Sequence, residues 1–210
     1  MALWCVASLV VARRVDVPTP VLHLIVGPNG AGKTTFYEEI LCPATGLPFI
    51  NADLIAEERW PKDTSAHAYE AAEQAARLRR LAIDDRRSFV AETVFSHPSK
   101  LDLLRTAGAA GYRRYVHVIL IPEELAVCRV GVRVETGGHD VPEDKIRSRF
   151  RRLWHLVRQA IRLADETEVR DNSRAKAPFR LVARYHRGEL AGLADWPPWT
   201  PPELRQAHEP

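Results

Sequence analysis

Cysteine is scarce in this chain and what there is lies scattered. Cys5, Cys42 and Cys128 are the only three in 210 residues, and none stands in a Cys-x-x-Cys pair. That spacing excludes a disulfide framework and a cysteine-based zinc site, and points to a reducing compartment, the cytoplasm. Histidine forms no metal-binding cluster with cysteine either. Long hydrophobic runs are missing too. Residues 1–12 are almost continuously apolar but too short to span a bilayer, and Arg13 and Arg14 follow the run instead of preceding it, so it makes a poor secretory signal. The stretch reads as an added strand or docked segment in an N-terminal extension, 1–20, and no membrane association is expected. Nor does one sign of charge dominate. Thirty Lys and Arg against 27 Asp and Glu give +3, enough to suit a small polyanionic ligand and too little to argue for nucleic acid. There is no internal repeat and no low-complexity tract. With 46% apolar and 27% charged residues, the length suits one well-buried α/β domain, with or without a mobile lid.

What is present begins with Gly27-Pro-Asn-Gly-Ala-Gly-Lys-Thr-Thr35, directly behind the apolar run Val21–Val26. Gly27, Gly30 and Gly32 allow the backbone to curl with its N–H groups pointing inward around a phosphate chain. Pro28, Asn29, Ala31 and Thr35 complete the loop, Lys33 reaches the outer phosphates, and the Thr34 hydroxyl holds Mg²⁺. A helix beginning near Lys33 adds the positive end of its dipole. The motif implies binding of a nucleoside triphosphate, taken as ATP, with Mg²⁺ as the metal that accompanies it.

Strand and helix signals alternate along the rest of the chain, the pattern of a parallel sheet with helices on both faces. Strands are expected at 21–26, 47–51, 88–91, 115–121, 168–170 and 179–185. Helices are expected at 33–41, ended by Cys42-Pro43, at 66–85, at 101–110 stopping at Gly111, and on either side of Gly137-Gly138. The kinase-like domain then covers 21–190. Asp195-Trp-Pro-Pro-Trp-Thr-Pro-Pro within the tail, 191–210, reads as an extended segment packed on the surface through Trp196 and Trp199.

In an open parallel sheet, ligands collect beyond the carboxyl ends of the strands, where the phosphate loop, Asp53, Glu92 and Thr93 all fall. Phosphoryl transfer needs a group to orient the attacking oxygen and accept its proton. Asp53 is the candidate, although an aspartate there could equally cap the helix that follows. Glu92 could hold a metal-linked water or the substrate, or be a solvated strand-end residue. Arg129 and Arg133 share one helix face, and Lys145, Arg149 and Arg152 share another. Together the two helices make a candidate arginine-bearing lid over 129–152, suited to phosphate because the guanidinium fork stays charged. Arg147, Arg151 and the clusters at 77–80 and 86–87 are expected to face water. His139 reads as a turn residue, and His97 shapes the turn before the next helix.

Gly27–Thr35, Ile50-Asn-Ala-Asp-Leu-Ile-Ala56, Phe89-Val-Ala-Glu-Thr-Val-Phe-Ser-His-Pro-Ser-Lys100, Arg133–Ile146 and Asp171-Asn-Ser173 stand in the order of the zeta toxin family of P-loop kinases, which the chain resembles. The resemblance implies a UDP-N-acetylglucosamine kinase that moves the γ-phosphate of ATP to the 3′-hydroxyl of the sugar. It implies Asp53 as general base, Glu92 and Thr93 lining the sugar-nucleotide pocket, and Arg133 and Arg149 steadying the moving phosphoryl group. Other UDP-amino sugars, or another small hydroxylated metabolite, stay open as acceptors. So do a kinase acting on a nucleoside or polynucleotide end, and a nucleotide-gated ATPase switch. A separately encoded antitoxin is a possible partner.

Overall fold

The computed structural model describes residues 18–135 and 141–205; the apolar run at 1–12, the Gly137-Gly138-His139 turn and the last five residues lie outside that set. Seven strands form one sheet in the order β2-β3-β1-β4-β5-β6-β7. Strands β1 (Val21–Val26), β2 (Phe49–Ile50), β3 (Phe89–Thr93), β4 (Arg113–Leu120) and β5 (Glu166–Asp171) run parallel, whereas β6 (Arg180–His186) and β7 (Glu189–Leu190) run antiparallel beyond β5. A wholly parallel sheet does not extend to β6. Only residues 172–179 join β5 to β6, too few for the crossover of a dozen or more that a parallel return requires.

Successive strand residues point to opposite faces, and the apolar ones divide into two cores. Leu22, Leu24, Val26, Phe89, Ala91, Val116, Val118 and Leu120 face one side, against α5 (Lys100–Ala109) and most of α7 (Glu143–Leu163). Ile25, Val90, Ile119 and Ile121 face the other, against the phosphate-loop helix and α6 (Glu123–Glu135). The apolar stripe of α7 is buried throughout: Ile146 joins the second core, while Phe150, Leu153, Val157 and Ile161 join the first. The arginine-bearing start of α7 is thus continuous with a helix anchored in the body of the domain. Arg147, expected to face water, instead ties α7 to α6 by a two-pronged pair with Glu124 at 2.6 and 2.8 Å and a bond to Glu143 at 2.8 Å.

The phosphate-loop helix does not end at Cys42-Pro43. It is α-helical over α1 (Lys33–Phe36), widens to a π turn over Tyr37–Leu41, and resumes as α2 (Cys42–Thr45), with Gly46 at φ 63° closing it. Proline lacks an N–H and crowds the preceding turn; after the widened turn, Pro43 stands in the first turn of α2, where a missing donor costs nothing. Helix α4 (Ala68–Asp84) lays Ala71, Ala75 and Ala82 inward, and Tyr112 bonds the Ala82 and Arg87 carbonyls at its end, at 2.8 and 2.9 Å. Near the C-terminus Trp196 and Trp199 pack against the first core, and the short α8 (Pro202–Arg205) buries Leu204, whose carbonyl accepts from Tyr185 at 3.2 Å. Among the described residues no helix is long and apolar enough to cross a membrane.

Candidate active site

Strand register builds the site. Ile25 pairs with Glu92 and Val26 with Thr93, so the loop that leaves β1 rises beside the end of β3; Ile50 pairs with Ala91, which sets Asn51 next to Glu92. Glycine is required where the loop turns tightest. A Cβ on Gly27 would lie 2.6 Å from the Ile119 carbonyl oxygen, and one on Gly32, at φ 86°, would lie 2.7 Å from the Asn172 side-chain nitrogen. Among the described residues the N–H groups of Gly32, Lys33 and Thr34 find no backbone acceptor, as the start of a helix leaves them. They form a ready cradle for anionic oxygens.

Lys33 is buried, its Nζ donating to the Pro28 carbonyl at 3.0 Å and standing 3.5 Å from Glu92 Oε1. Glu92 Oε2 accepts from the Thr34 hydroxyl at 3.0 Å and from Asn51 Nδ2 at 2.8 Å. Because Thr34 gives its only proton to Glu92, its lone pairs are left for a cation. The neighbouring donors are a hydroxyl and a carboxylate, hard oxygens of the kind Mg²⁺ takes, and the residues fit that ion.

Asn51 removes one of the two roles that Asp53 could have played. The first residue of α3 (Ala52–Arg59) follows Asn51, whose side chain accepts from the Asp53 N–H at 2.7 Å. Asn51, not Asp53, is the cap. The Asp53 carboxylate is exposed and makes no hydrogen bond or ion pair with any described residue.

Glu92 and Thr93 part company at the end of β3. Pleating sends Glu92 to the phosphate-loop face and Thr93 to the opposite face, where it lines a cavity between α4 and α5 and accepts from the Phe95 N–H at 3.1 Å. Phe95 is fully buried at φ 61°, a conformation an aromatic residue adopts only when its surroundings hold it there.

On the far side, two residues that the spacing did not single out for this task hold the loop. Asn172 donates to the Ala31 carbonyl at 2.9 Å, and Arg129 bonds the Asn172 carbonyl at 3.0 Å and the Gly30 carbonyl at 3.4 Å. Arg129 therefore grips the loop's backbone instead of arching over a triphosphate. Arg133 is exposed near the end of α6, and Arg149 is half-buried on α7. His97 bonds Ser99 at 2.8 Å in the turn before α5.

Below this edge, on the phosphate-loop side of the sheet, His23 Nδ1 and His117 Nε2 stand 2.9 Å apart with rings stacked at 5.2 Å. Burial lowers His23 to about 4. Burial, and then the charges of His23 and Arg170, lower His117 to about 3.

The AAA domain family model matches residues 22–156. A protein of Haemophilus influenzae described only as uncharacterized is 30% identical over 127 residues, 59% of this chain and 88% of the relative. Among solved structures, a chain of the PezAT chromosomal toxin-antitoxin system of Streptococcus pneumoniae superposes with a TM-score of 0.54 at 14% identity, over 74% of this chain and 69% of that one. The AvrRxo1-ORF1:AvrRxo1-ORF2 complex with ATP superposes at 0.63 with 17% identity, over 84% of this chain and 61% of that one. The chain thus spans about three fifths of the AvrRxo1 chain it matches. At these identities the likeness is one of fold, the P-loop kinase fold.

Proposed function

The chain belongs to the AAA domain family, and from that premise we propose that it is an ATP-dependent, Mg²⁺-requiring kinase of a small molecule's hydroxyl group. The acceptor that the zeta-toxin resemblance favours is UDP-N-acetylglucosamine or a related UDP-amino sugar. One observation carries the reading: a continuous hydrogen-bonded path, Thr34 to Glu92 to Asn51 to the start of α3, joins the phosphate loop to the turn that bears the Asp53 carboxylate, which has no partner among the described residues. A nucleotide switch needs the first half of that path; an acceptor base is of use only to a transferase.

On this reading the roles divide as follows. The loop N–H groups and Lys33 bind the phosphates, Lys33 exchanging the Pro28 carbonyl for a phosphate oxygen. Thr34, whose hydroxyl Glu92 holds, would hold Mg²⁺, which when bound would neutralise charge that develops on the phosphates. Asp53 takes the proton from the acceptor hydroxyl, and Thr93 contacts the acceptor from the other side of β3. Arg133 and Arg149 supply positive charge to the phosphoryl group in flight. The work belongs in the cytoplasm, where ATP is available. A separately encoded antitoxin is a candidate protein partner, a reading supported by the likeness to a chain of the PezAT toxin-antitoxin system.

Purified protein incubated with ATP, Mg²⁺ and UDP-N-acetylglucosamine should give a sugar nucleotide heavier by one phosphoryl group in the mass spectrum. Asp53→Asn should lower kcat by about 10²-fold or more, the usual worth of a positioned base, with ATP affinity within about twofold of the original. Equal transfer rates for the two proteins would remove Asp53 from its role.

A further inference from the structure

Two side chains that the transfer chemistry does not use, Asn172 and Arg129, hold the phosphate loop by its carbonyl oxygens. Asn172 Nδ2 donates to the Ala31 carbonyl at 2.9 Å, and among the described residues nothing else bonds that oxygen. Arg129 reaches the Gly30 carbonyl at 3.4 Å and, at 3.0 Å, the carbonyl of Asn172 itself. Asn172 is buried, and its own N–H is fixed on the Leu120 carbonyl at the end of β4 at 2.9 Å. The sheet, not the loop, carries this amide.

No peptide bond among the described residues is cis, so the C=O and N–H of each unit point opposite ways. With the Ala31 oxygen drawn outward to Asn172, the Gly32 N–H is aimed inward, into the cradle. The unit has a second state within reach. Turning it by half a revolution changes ψ of Ala31 and φ of Gly32, and takes Gly32 from +86° to a negative φ that glycine adopts as readily. The Ala31 carbonyl oxygen, with its partial negative charge, would then stand where a phosphate oxygen must sit. The bond that the Ala31 N–H makes to the Pro28 carbonyl, at 3.3 Å, belongs to the preceding unit and does not resist this turn. On the outer side the Asn172 amide and the Phe179 ring close against Gly32, at 2.7 and 3.7 Å from where a Cβ would stand.

We infer that Asn172 is a positioning residue for the donor nucleotide: it holds the Ala31–Gly32 peptide in the direction that accepts phosphate, and Arg129 fixes Asn172 and the Gly30 carbonyl in place. The inference rests on the nucleotide-binding part of the reading above and on no particular acceptor. Asparagine suits the task because its amide donates to a carbonyl. An ionised aspartate of almost the same shape only accepts. It would draw the Gly32 N–H outward and select the turned state.

The test is calorimetric titration of the full chain with a non-hydrolysable ATP analogue and Mg²⁺. Asn172→Ala leaves the unit free to take both directions and should weaken binding about tenfold. Asn172→Asp, the smaller change of shape, should weaken it about a hundredfold, since an N–H that met the phosphates is replaced by a carbonyl that repels them. Without nucleotide, the thermal midpoint of Asn172→Asp should stay within about 2 °C of the original, because the carboxylate gains the Gly32 N–H; a merely structural asparagine would lose stability and affinity together. In the double variant, the losses from Arg129→Gln and Asn172→Ala should not add, because both act on one loop orientation. Binding unchanged in Asn172→Asp, a loss no greater than that of Asn172→Ala, or a midpoint lowered in step with affinity overturns the inference and leaves the kinase reading intact. Losses that add in full overturn the part given to Arg129. Binding that depends on Asn172 in this way, in a protein that phosphorylates no hydroxyl compound, would sink the kinase reading and uphold the positioning role. An original protein with no affinity for the analogue would overturn both.

Discussion

Glu92 is the residue on which the site's charge balance turns. It is one carboxylate serving three donors: Thr34 and Asn51 bond it directly, and Lys33 stands 3.5 Å away. Glu92→Gln removes the charge at nearly constant volume, so Thr34 loses the strong acceptor that orients it, and Lys33 its counter-ion. Nucleotide binding titrated against Mg²⁺ should then need about tenfold more of the ion, a hydrogen bond to a charged group being worth about 1.5–3 kcal/mol; an unchanged Mg²⁺ requirement would separate Glu92 from the metal. At this scale the phosphate loop was legible because its residues act within nine positions of one another. Asn51 and Asn172 were not, since their partners lie 41 and 141 residues away. Part of the Asn51 signal was nonetheless in plain sight. Asparagine is among the strongest helix-capping residues, and weighing it beside Asp53 excludes the capping role for the aspartate from sequence alone.

Elements are set by what ends them as much as by what fills them. Tyr112, at the entrance to β4, ties off α4 by bonding the Ala82 and Arg87 carbonyls. Tyr112→Phe leaves the ring in place and removes that tie. The loss should be about 1 kcal/mol, because the Ala82 carbonyl keeps the bond it accepts from the Arg87 N–H, and the thermal midpoint should fall by about 2–4 °C for a chain of this size. An unchanged midpoint would show that the turn holds itself. Helical periodicity located α4, α5, α6 and α7 to within a few residues, since an amphipathic stripe repeats over several turns. Two features escaped it. Pro43 looks like a stop in any sequence, and the π turn that admits it has no composition of its own. The direction of β6 is likewise absent from an apolar pattern, which reads the same from either end; the short link from β5 was the available clue. Arg187 and Gly188, at φ 49° and 86°, make the two-residue reversal into β7, and glycine there was its one visible trace.

For the molecule as a whole, the histidine pair makes stability depend on acid. His23 and His117 titrate near 4 and 3 when folded, against about 6.5 in an unfolded chain. Their surroundings are Tyr115, Phe36, Arg170 and Glu168, the last 4.0 Å from His117. Between about pH 6.5 and 4 the unfolded chain binds the protons that the folded one refuses, so these groups make stability fall as pH drops through that window. Urea unfolding measured across it should show an uptake of about one to two protons on unfolding, reduced in His117→Phe. A pH-independent midpoint in that window would contradict the burial that the stack implies. The global layout was the most legible level of all: alternating strand and helix signals, with a phosphate loop after the first strand, leave few arrangements open. Which side of the sheet each candidate group faces was not legible, because it depends on where β3 stops.

That stopping point has a consequence for how the protein can vary. The boundary between the phosphate donor's territory and the cavity is a single peptide link, Glu92 to Thr93. A change of one residue in the strand's length ahead of this link reverses the face that each side chain takes. An odd step would turn the acid toward the hollow between α4 and α5 and the hydroxyl toward the phosphate loop, exchanging their places at a stroke.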